Sequence, residues 1–334
     1  MDSIRWALIG AGDIAQKRVG PALKAEPRSR LEVIVDVSPE RAKKLADQLG
    51  GCTVCDRLDT VLANPAIDAV YLATPVFLHV EQVRAALQAG KHVLCEKPLA
   101  LNYEQAATIA DKGSGKVKAG VAYFRRFYPK YLQAREMLAT GAFGQVVLLR
   151  LAYHTWCEIK PEDPKFWRML KAKSGGGVLS DMGCHMFDVM IGLFGLPATV
   201  FARVRTQTFA YEVEDSAVMV MRYERGPDVT ASFNWNSKTW TQEFEIIGTQ
   251  AKVKWHPYDS ASVARTVGRN VETLELPNHA NVHYPMIADF VSAVIEDRAP
   301  VVTLGEAAKT NLLLDAIYRS SAENCEVAIQ ELVP

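Results

Sequence analysis

Two short stretches hold residue types whose spacing suits the handling of protons and charge. Glu96-Lys97-Pro98 closes the apolar run His92-Val93-Leu94-Cys95 with an acid, a base and a proline. That pattern reads as a buried strand delivering two ionisable side chains to the edge of a sheet. The other stretch, Ser174 to Asp188, is a glycine run leading into a helix with Asp181 and His185 four residues apart. On a helix they share one face, and Asp188 follows a turn later on the same stripe. A carboxylate one turn from an imidazole orients the ring and stabilises its charged form, which a general base for a hydroxyl proton requires. Two other readings stay open: Ser180 or Asp181 caps the helix while His185 fills the core, or Asp181, His185 and Asp188 ligate a metal.

The elements ahead of Lys97 look built to hold a dinucleotide. Ile4 to Ile9 is a strand, followed by Gly10-Ala11-Gly12-Asp13-Ile14-Ala15 and a helix to about Ala25. This is G-x-G-x-x-A between strand and helix, where the first glycine allows the turn, the second admits a pyrophosphate, and Ala15 lets helix and strand pack closely. Free amides at the helix start, around Asp13 and Ile14, face the phosphates. A second strand, Leu31 to Asp36, ends in an acid at the distance expected for a group that accepts hydrogen bonds from the ribose and repels a 2′-phosphate. Ser38 is placed to cap the next helix, and Arg41 with Ser38 is able to take a phosphate, so NAD is expected first and NADP second.

Strand and helix patterns then alternate: helix Arg57 to Ala63, strand Ala69 to Ala73, helix Leu78 to Ala89, strand His92 to Cys95, helix Tyr103 to Lys112 and strand Val117 to Ala122. Repeated units of this length imply a parallel sheet covered on both faces, with cofactor contacts from loops at the carboxyl ends of the strands. Ala73-Thr74-Pro75 is one such loop. His79, a turn into the next helix, is either a packing group or a neighbour of the cofactor. Tyr123-Phe-Arg-Arg-Phe-Tyr-Pro129 closes this first domain, with Arg125 or Arg126 at the junction.

Beyond it the rhythm changes. After a helix from Pro129 to Thr140, strand patterns appear at Gln145 to His154, Ala198 to Thr208, Val213 to Tyr223, Val229 to Asn236, Glu243 to Gly248 and Lys252 to His256. Tight turns such as Arg225-Gly226-Pro227-Asp228 point to a large open, mostly antiparallel sheet. Its aromatics Phe233, Trp235, Trp240 and Phe244 are expected under helices or a partner subunit. Helices at Tyr284 to Glu296 and Gly305 to Ala322 end the chain. The division expected is an α/β nucleotide-binding domain of the Rossmann type over 1–122 and an α+β domain over 123–334 that binds substrate and self-associates.

Bulk properties narrow the class. Thirty-eight basic residues balance thirty-eight acidic ones, with no basic stripe to follow a nucleic acid. No run approaches the ~18 apolar residues that span a bilayer, and a strand at Ile4 leaves no room ahead of it for a signal peptide. Six scattered cysteines suit a reducing compartment. Cys52-Thr-Val-Cys55 matches C-x-x-C but reads as a short strand with half-buried thiols. A cytoplasmic protein without metal, nucleic acid or membrane is the expectation.

Together, Gly10 to Ala15, Ala73-Thr74-Pro75, Glu96-Lys97-Pro98, the Arg-Arg-Phe turn and Asp181-x-Gly-x-His185 resemble the glucose-fructose oxidoreductase / inositol dehydrogenase / rhizopine-catabolism (Gfo/Idh/MocA) family. The resemblance covers nearly the whole chain, with departures at Val76 and Phe124, where the family pattern has polar residues. It implies a hydride transfer between nicotinamide and a secondary alcohol of a sugar or cyclitol. Lys97 would bond the reacting hydroxyl, and Asp181 and His185 would manage its proton. Gly10, Gly12, Asp36, Thr74, Glu96 and Lys97 would touch the dinucleotide, with Asp13, Ile14, Arg41, Ala73, Pro75, His79 and Arg126 as further candidates. Arg168 and His283 join Lys97, Asp181 and His185 as substrate candidates, beside Asp188, Asn278 and His279. A homodimer or homotetramer through the open sheet is expected. Transient oxidation by retained NAD, or a non-catalytic sugar-sensing regulator, are the other activities this fold would serve.

Overall fold

Ile4–Ile9 (β1) is buried at every position but Arg5, as a strand covered on both faces must be. In the computed structural model, which describes residues 2–113 and 115–333, it lies in a parallel six-stranded sheet. The others are Ser29–Val35 (β2), Thr53–Cys55 (β3), Ala69–Leu72 (β4), His92–Cys95 (β5) and Ala119–Val121 (β6), in the order β3-β2-β1-β4-β5-β6. Strand order reverses between β1 and β4, the switch point where doubly wound sheets bind ligands. Register sets Ile9 against both Val35 and Leu72, and Leu72 against Cys95. Gly10, Asp36, Ala73 and Glu96 therefore leave the sheet at one level. Cys52 and Cys55 are free thiols flanking and ending β3, at the sheet's edge.

The chain forms two compact units whose boundaries cut across the expected division at residue 122. The first comprises 1–100, 104–124 and 279–308; the second takes 101–103, 125–278 and 309–334. The stretch 279–308, expected in the second domain, belongs to the first for reasons of packing. Its helix Tyr284–Ile295 buries Met286, Ile287, Phe290 and Val291, and the Phe290 ring lies 5.7 Å from that of Trp6. Arg28 donates to Ser292 Oγ at 2.9 Å, and Val121 donates its amide to the Val302 carbonyl at 3.1 Å.

The second unit holds a nine-stranded sheet: Val146–Trp156 (β7), Thr199–Arg205 (β8), Ser216–Arg222 (β9), Asp228–Asn234 (β10), Asn236–Gly248 (β11), Ala251–Trp255 (β12), Ser262–Val267 (β13), Asn270–Glu275 (β14) and Val327–Ala328 (β15), in the order β14-β13-β12-β11-β7-β10-β9-β8-β15. Only β7 and β10 pair in parallel. Six of these strands follow the expected pattern, although β11 begins at Asn236 rather than Glu243. β13 and β14 lack an alternating apolar face and were not foreseen; β14 is almost wholly exposed. Phe233, Trp235 and Phe244 are buried, while Trp240 is half exposed together with Phe201, Val218 and Val220.

Two further helical elements matter for function. The helix Cys184–Phe194 is buried over its first eight residues and is preceded by a π-turn, Leu179–Gly183. The stretch Lys171–Phe194 has the length and apolarity to cross a membrane, against expectation, but 72% of its apolar window is buried in the protein. The helix Leu304–Glu323 closes the chain's last long element.

Candidate active site

Backbone at the carboxyl end of the parallel sheet is shaped to admit a ligand. Gly10 has φ +96°, and a Cβ there would lie 2.7 Å from the Ala73 carbonyl oxygen, so only glycine lets these two loops meet. A Cβ on Gly12 would meet nothing within 4 Å, leaving open space where a pyrophosphate is expected. Asp36 ties the region together: its Oδ2 accepts the Ala11 amide at 2.7 Å, and Oδ1 accepts the Ser38 amide at 2.8 Å and the Arg41 guanidinium at 2.7 Å. Burial opposes its ionisation, but the two amides and Arg41 hold the carboxyl below the usual carboxylate range. Oδ2 keeps lone-pair capacity for a ribose hydroxyl, while Arg41 remains half exposed beside it. Ser38 caps the helix Pro39–Gln48, as its position suggested.

The neighbouring loop is also fixed. Thr74 donates its hydroxyl to Gln82 Oε1 at 2.6 Å, and Pro75 opens the short helical turn Val76–Leu78. Asp13 lies largely exposed at the helix start with Lys17 3.6 Å away, and Ile14 is half-buried beside it. His79 is 1% exposed, with Nδ1 2.8 Å from the Pro98 carbonyl and Nε2 2.8 Å from the Thr74 carbonyl. It joins the two loops, as a packing group does.

Glu96 points inward. Tyr71 donates to its Oε1 at 2.8 Å, and His283 Nε2 lies 3.7 Å from the same oxygen. Burial pushes the Glu96 carboxyl up, against the pull of the Tyr71 hydroxyl and the Lys97 charge. Contact between Glu96 and a dinucleotide would thus run through its backbone. His283, expected at the substrate, is instead 2% exposed in the first unit, stacked on Phe124 with ring centroids 4.4 Å apart. Phe124, one of the departures from the family pattern, supplies that stacking face. His279 stacks on Tyr284 and accepts the Asn281 amide, closing the turn into the helix.

In the second unit Asp181 and His185 lie on successive helical turns, and Arg168 approaches Asp181. Asp181 projects from the π-turn Leu179–Gly183, and His185 is the second residue of the helix that follows. Single π-turns inside helices recur at functional sites because they re-aim side chains relative to α-helical spacing. Arg168 Nη1 lies 3.7 Å from Asp181 Oδ2 with both side chains partly exposed. His185 is buried, and its carbonyl accepts from the Tyr258 hydroxyl at 3.3 Å. The charge of Asp181 reaches Tyr153 and Cys157: burial, reinforced by Asp181, pushes Tyr153 up to about 12 and Cys157 up to about 11.

Arg126 and Asp188 meet each other. Arg126 Nε donates to both Asp188 oxygens at 3.0 Å, with Asp188 completely buried and Arg126 5% exposed. Neither side chain has surface for cofactor or substrate; together they brace the helix Cys184–Phe194. Arg125 pairs with Asp259 by two parallel bonds of 2.7 Å, Nε to Oδ1 and Nη2 to Oδ2, and Asn278 donates to the Asp259 carbonyl. With Asp188 committed to Arg126, the three-residue metal set has lost a ligand. Among the described residues no other group of three His, Cys, Asp or Glu side chains is gathered for a metal. Sequence reading overlooked Tyr71, Tyr153, Glu214 and Tyr318, since a single buried acid or phenol has no local pattern to announce it.

Residues 4–119 match the family described as "Oxidoreductase family, NAD-binding Rossmann fold", and residues 131–254 match "GFO/IDH/MocA C-terminal domain". The chain is 31% identical over 308 residues to 1,5-anhydro-D-fructose reductase of Ensifer adhaerens, covering 90% of each. The chain belongs to the Gfo/Idh/MocA family. It is also 29% identical over 335 residues to the rhizopine catabolism protein MocA of Rhizobium meliloti, covering 97% of this chain and 99% of that one. The oxidoreductase domain protein from Kribbella flavida shares the fold at TM-score 0.91 and 24% identity, over 98% of this chain and 100% of that one. As a Gfo/Idh/MocA member the protein is an oxidoreductase with an NAD-binding Rossmann domain.

Proposed function

We propose that this oxidoreductase moves a hydride between nicotinamide and a carbon bearing a secondary alcohol, the substrate being a sugar, a sugar derivative or a cyclitol. The observation that carries the reading is the pairing of two sets of groups in one family member: the Gly10–Asp36–Ala73 cradle on the first unit, and Asp181 with His185 on the second. Similarity to a reductase of an anhydrosugar supports the substrate class.

When bound, the nicotinamide ring supplies the hydride acceptor or donor. Gly10, Gly12 and the helix start after them would hold its pyrophosphate, and Asp36 would hold the adenosine ribose through Oδ2. Lys97 follows the buried strand β5, with Glu96 and Tyr71 fixing the backbone behind it. Its ammonium stabilises negative charge developing on the substrate oxygen. His185 takes the hydroxyl proton during oxidation and returns it during reduction, and Asp181 orients and stabilises the charged ring. Arg168, within 3.7 Å of Asp181, limits the spread of that carboxylate and offers donors to substrate hydroxyls.

Purified protein given NAD+ or NADP+ with a panel of aldoses, sugar acids, anhydrosugars and cyclitols tests the reading by nicotinamide absorbance. Turnover on a member of the panel is the expected result. Binding of those compounds with no reduced cofactor formed in either direction would instead point to a sensor.

A further inference from the structure

The glycine run before Asp181 resembles an anion-binding loop at a helix start, yet its amides are already occupied. Glu214 accepts the Gly177 amide at 2.8 Å through one carboxylate oxygen and the Leu179 amide at 3.0 Å through the other. The Tyr318 hydroxyl, from the helix Leu304–Glu323, donates to Glu214 at 3.0 Å and lies 3.4 Å from Ser180 Oγ. A Cβ on Gly177 would stand 1.9 Å from the Glu214 carbonyl oxygen, and one on Gly176 would stand 2.0 Å from the Tyr318 hydroxyl. The glycines let the Glu214 backbone and the Tyr318 hydroxyl close against the loop, which brings the Glu214 carboxylate to its amides.

We propose that Glu214 is the positioning residue of the proton-handling helix. Its carboxylate, held by Tyr318, fixes the turn from which Asp181 and His185 project and places a negative charge beside them. The proposal rests on the functional reading above for the roles of Asp181 and His185. Glu214 itself touches neither substrate nor cofactor.

One observation and two physical arguments support it. Glu214 is 6% exposed, and its carboxylate bonds this turn and its brace, Tyr318. Satisfying two otherwise orphaned amides at a helix start orders that turn. An anion near the positive end of a helix also offsets the dipole felt by groups in the first turns, and favours a protonated imidazole there. The titratable and charged groups about this turn are Asp181 with Arg168 3.7 Å from it, Tyr153 and Cys157, which feel the Asp181 charge, His185 on the helix that follows, and Tyr318 with Asp315 from the closing helix. The Gly177 and Leu179 amides that set the turn are bonded by Glu214.

The test compares Glu214→Gln, Tyr318→Phe and Tyr223→Phe with wild type. Tyr223 donates to the Gly195 carbonyl at 2.9 Å, at the opposite end of the same helix, and so controls for a general loss of order. In Glu214→Gln, amide hydrogen exchange over 177–185 should accelerate about tenfold or more. With sugar turnover, kcat should fall about 30-fold or more while KM for NAD+ stays within a few fold. Loss of the charge should move the ascending limb of the kcat/KM profile to lower pH by roughly half a unit. Tyr318→Phe should show a smaller version of each effect, and Tyr223→Phe none of them. Unchanged exchange over 177–185 in Glu214→Gln overturns the proposal whether or not a substrate is in hand. A kcat loss with an unmoved profile, matched by Tyr223→Phe, overturns it too. Faster exchange in a protein that turns over no sugar or cyclitol would leave the positioning role standing and reject the functional reading instead.

Discussion

The Nδ1 atom of His79 lies 2.8 Å from the carbonyl oxygen of Pro98, at the end of the loop that carries Lys97. Its Nε2 meets the Thr74 carbonyl at the same distance. A neutral ring has one N–H and donates to only one of them; the imidazolium satisfies both. Burial nevertheless outweighs the two carbonyls and lowers the His79 pKa.

The sign of the resulting pH dependence follows from linkage. A histidine depressed in the folded state contributes stability that is present above the unfolded value of ~6.5 and is lost as pH falls through the window below it. Melting temperature should drop between pH 7 and pH 5.5 through this residue. His79→Gln should start lower and decline less steeply. A parallel slope in scanning calorimetry would show that other groups, such as His92, carry the effect.

Lys97→Ala should reduce turnover by about a thousandfold while NAD+ affinity stays within a few fold, because a charge made useful only as the alkoxide develops acts on kcat. Steady-state kinetics with calorimetric titration of the cofactor separates the two. Retained turnover would remove Lys97 from the chemistry.

Arg126 and Asp188 form a closed pair, so removing one partner strands the other. Arg126→Met should lose about 3–5 kcal/mol, measured by urea unfolding, because Asp188 remains buried without its counter-charge. The double variant Arg126→Met/Asp188→Leu should recover a large part of that loss. If the single variant unfolds like wild type, the pair contributes little.

Asp36→Ser should weaken NAD+ binding about tenfold or more and narrow the gap to NADP+. The change removes the bond from Ala11, and Arg41, freed from its present partner, becomes available to a 2′-phosphate. Dissociation constants for both cofactors check it, and an unchanged ratio would take Asp36 out of the choice.

Val218, Val220 and Phe201 are half exposed on the second unit's sheet, where self-association is expected. Val218→Glu/Val220→Glu should give a monomer by light scattering where the parent is a dimer or tetramer. A parent that is already monomeric rejects this surface as an interface.

The parallel sheet was legible because strands covered on both faces must be apolar throughout, and the Gly10 and Asp36 turns follow them at fixed distances. The helical turns that carry Asp181 and His185 were legible because a glycine-rich entry and apolar spacing act locally. Arg126, His79 and His283 were not. Each is a side chain of the right type whose partner lies far along the chain: Asp188 is 62 residues from Arg126, and His79 answers to a carbonyl 19 residues away. Burial decides such roles, and a linear pattern carries no record of which group another will meet. The edge strands β13 and β14 escaped for the converse reason, having so little to bury that no periodicity was imposed on them.

The placement of 279–308 in the first unit bears on the order in which the protein is made. Phe290, which covers Trp6, is synthesised only after 125–278, the bulk of the other unit. The nucleotide-binding unit therefore cannot finish folding until that intervening stretch has been made. A gene cut after Ala122 would yield a sheet with its apolar side open, and fusing such a fragment to another partner would transplant an unfinished domain.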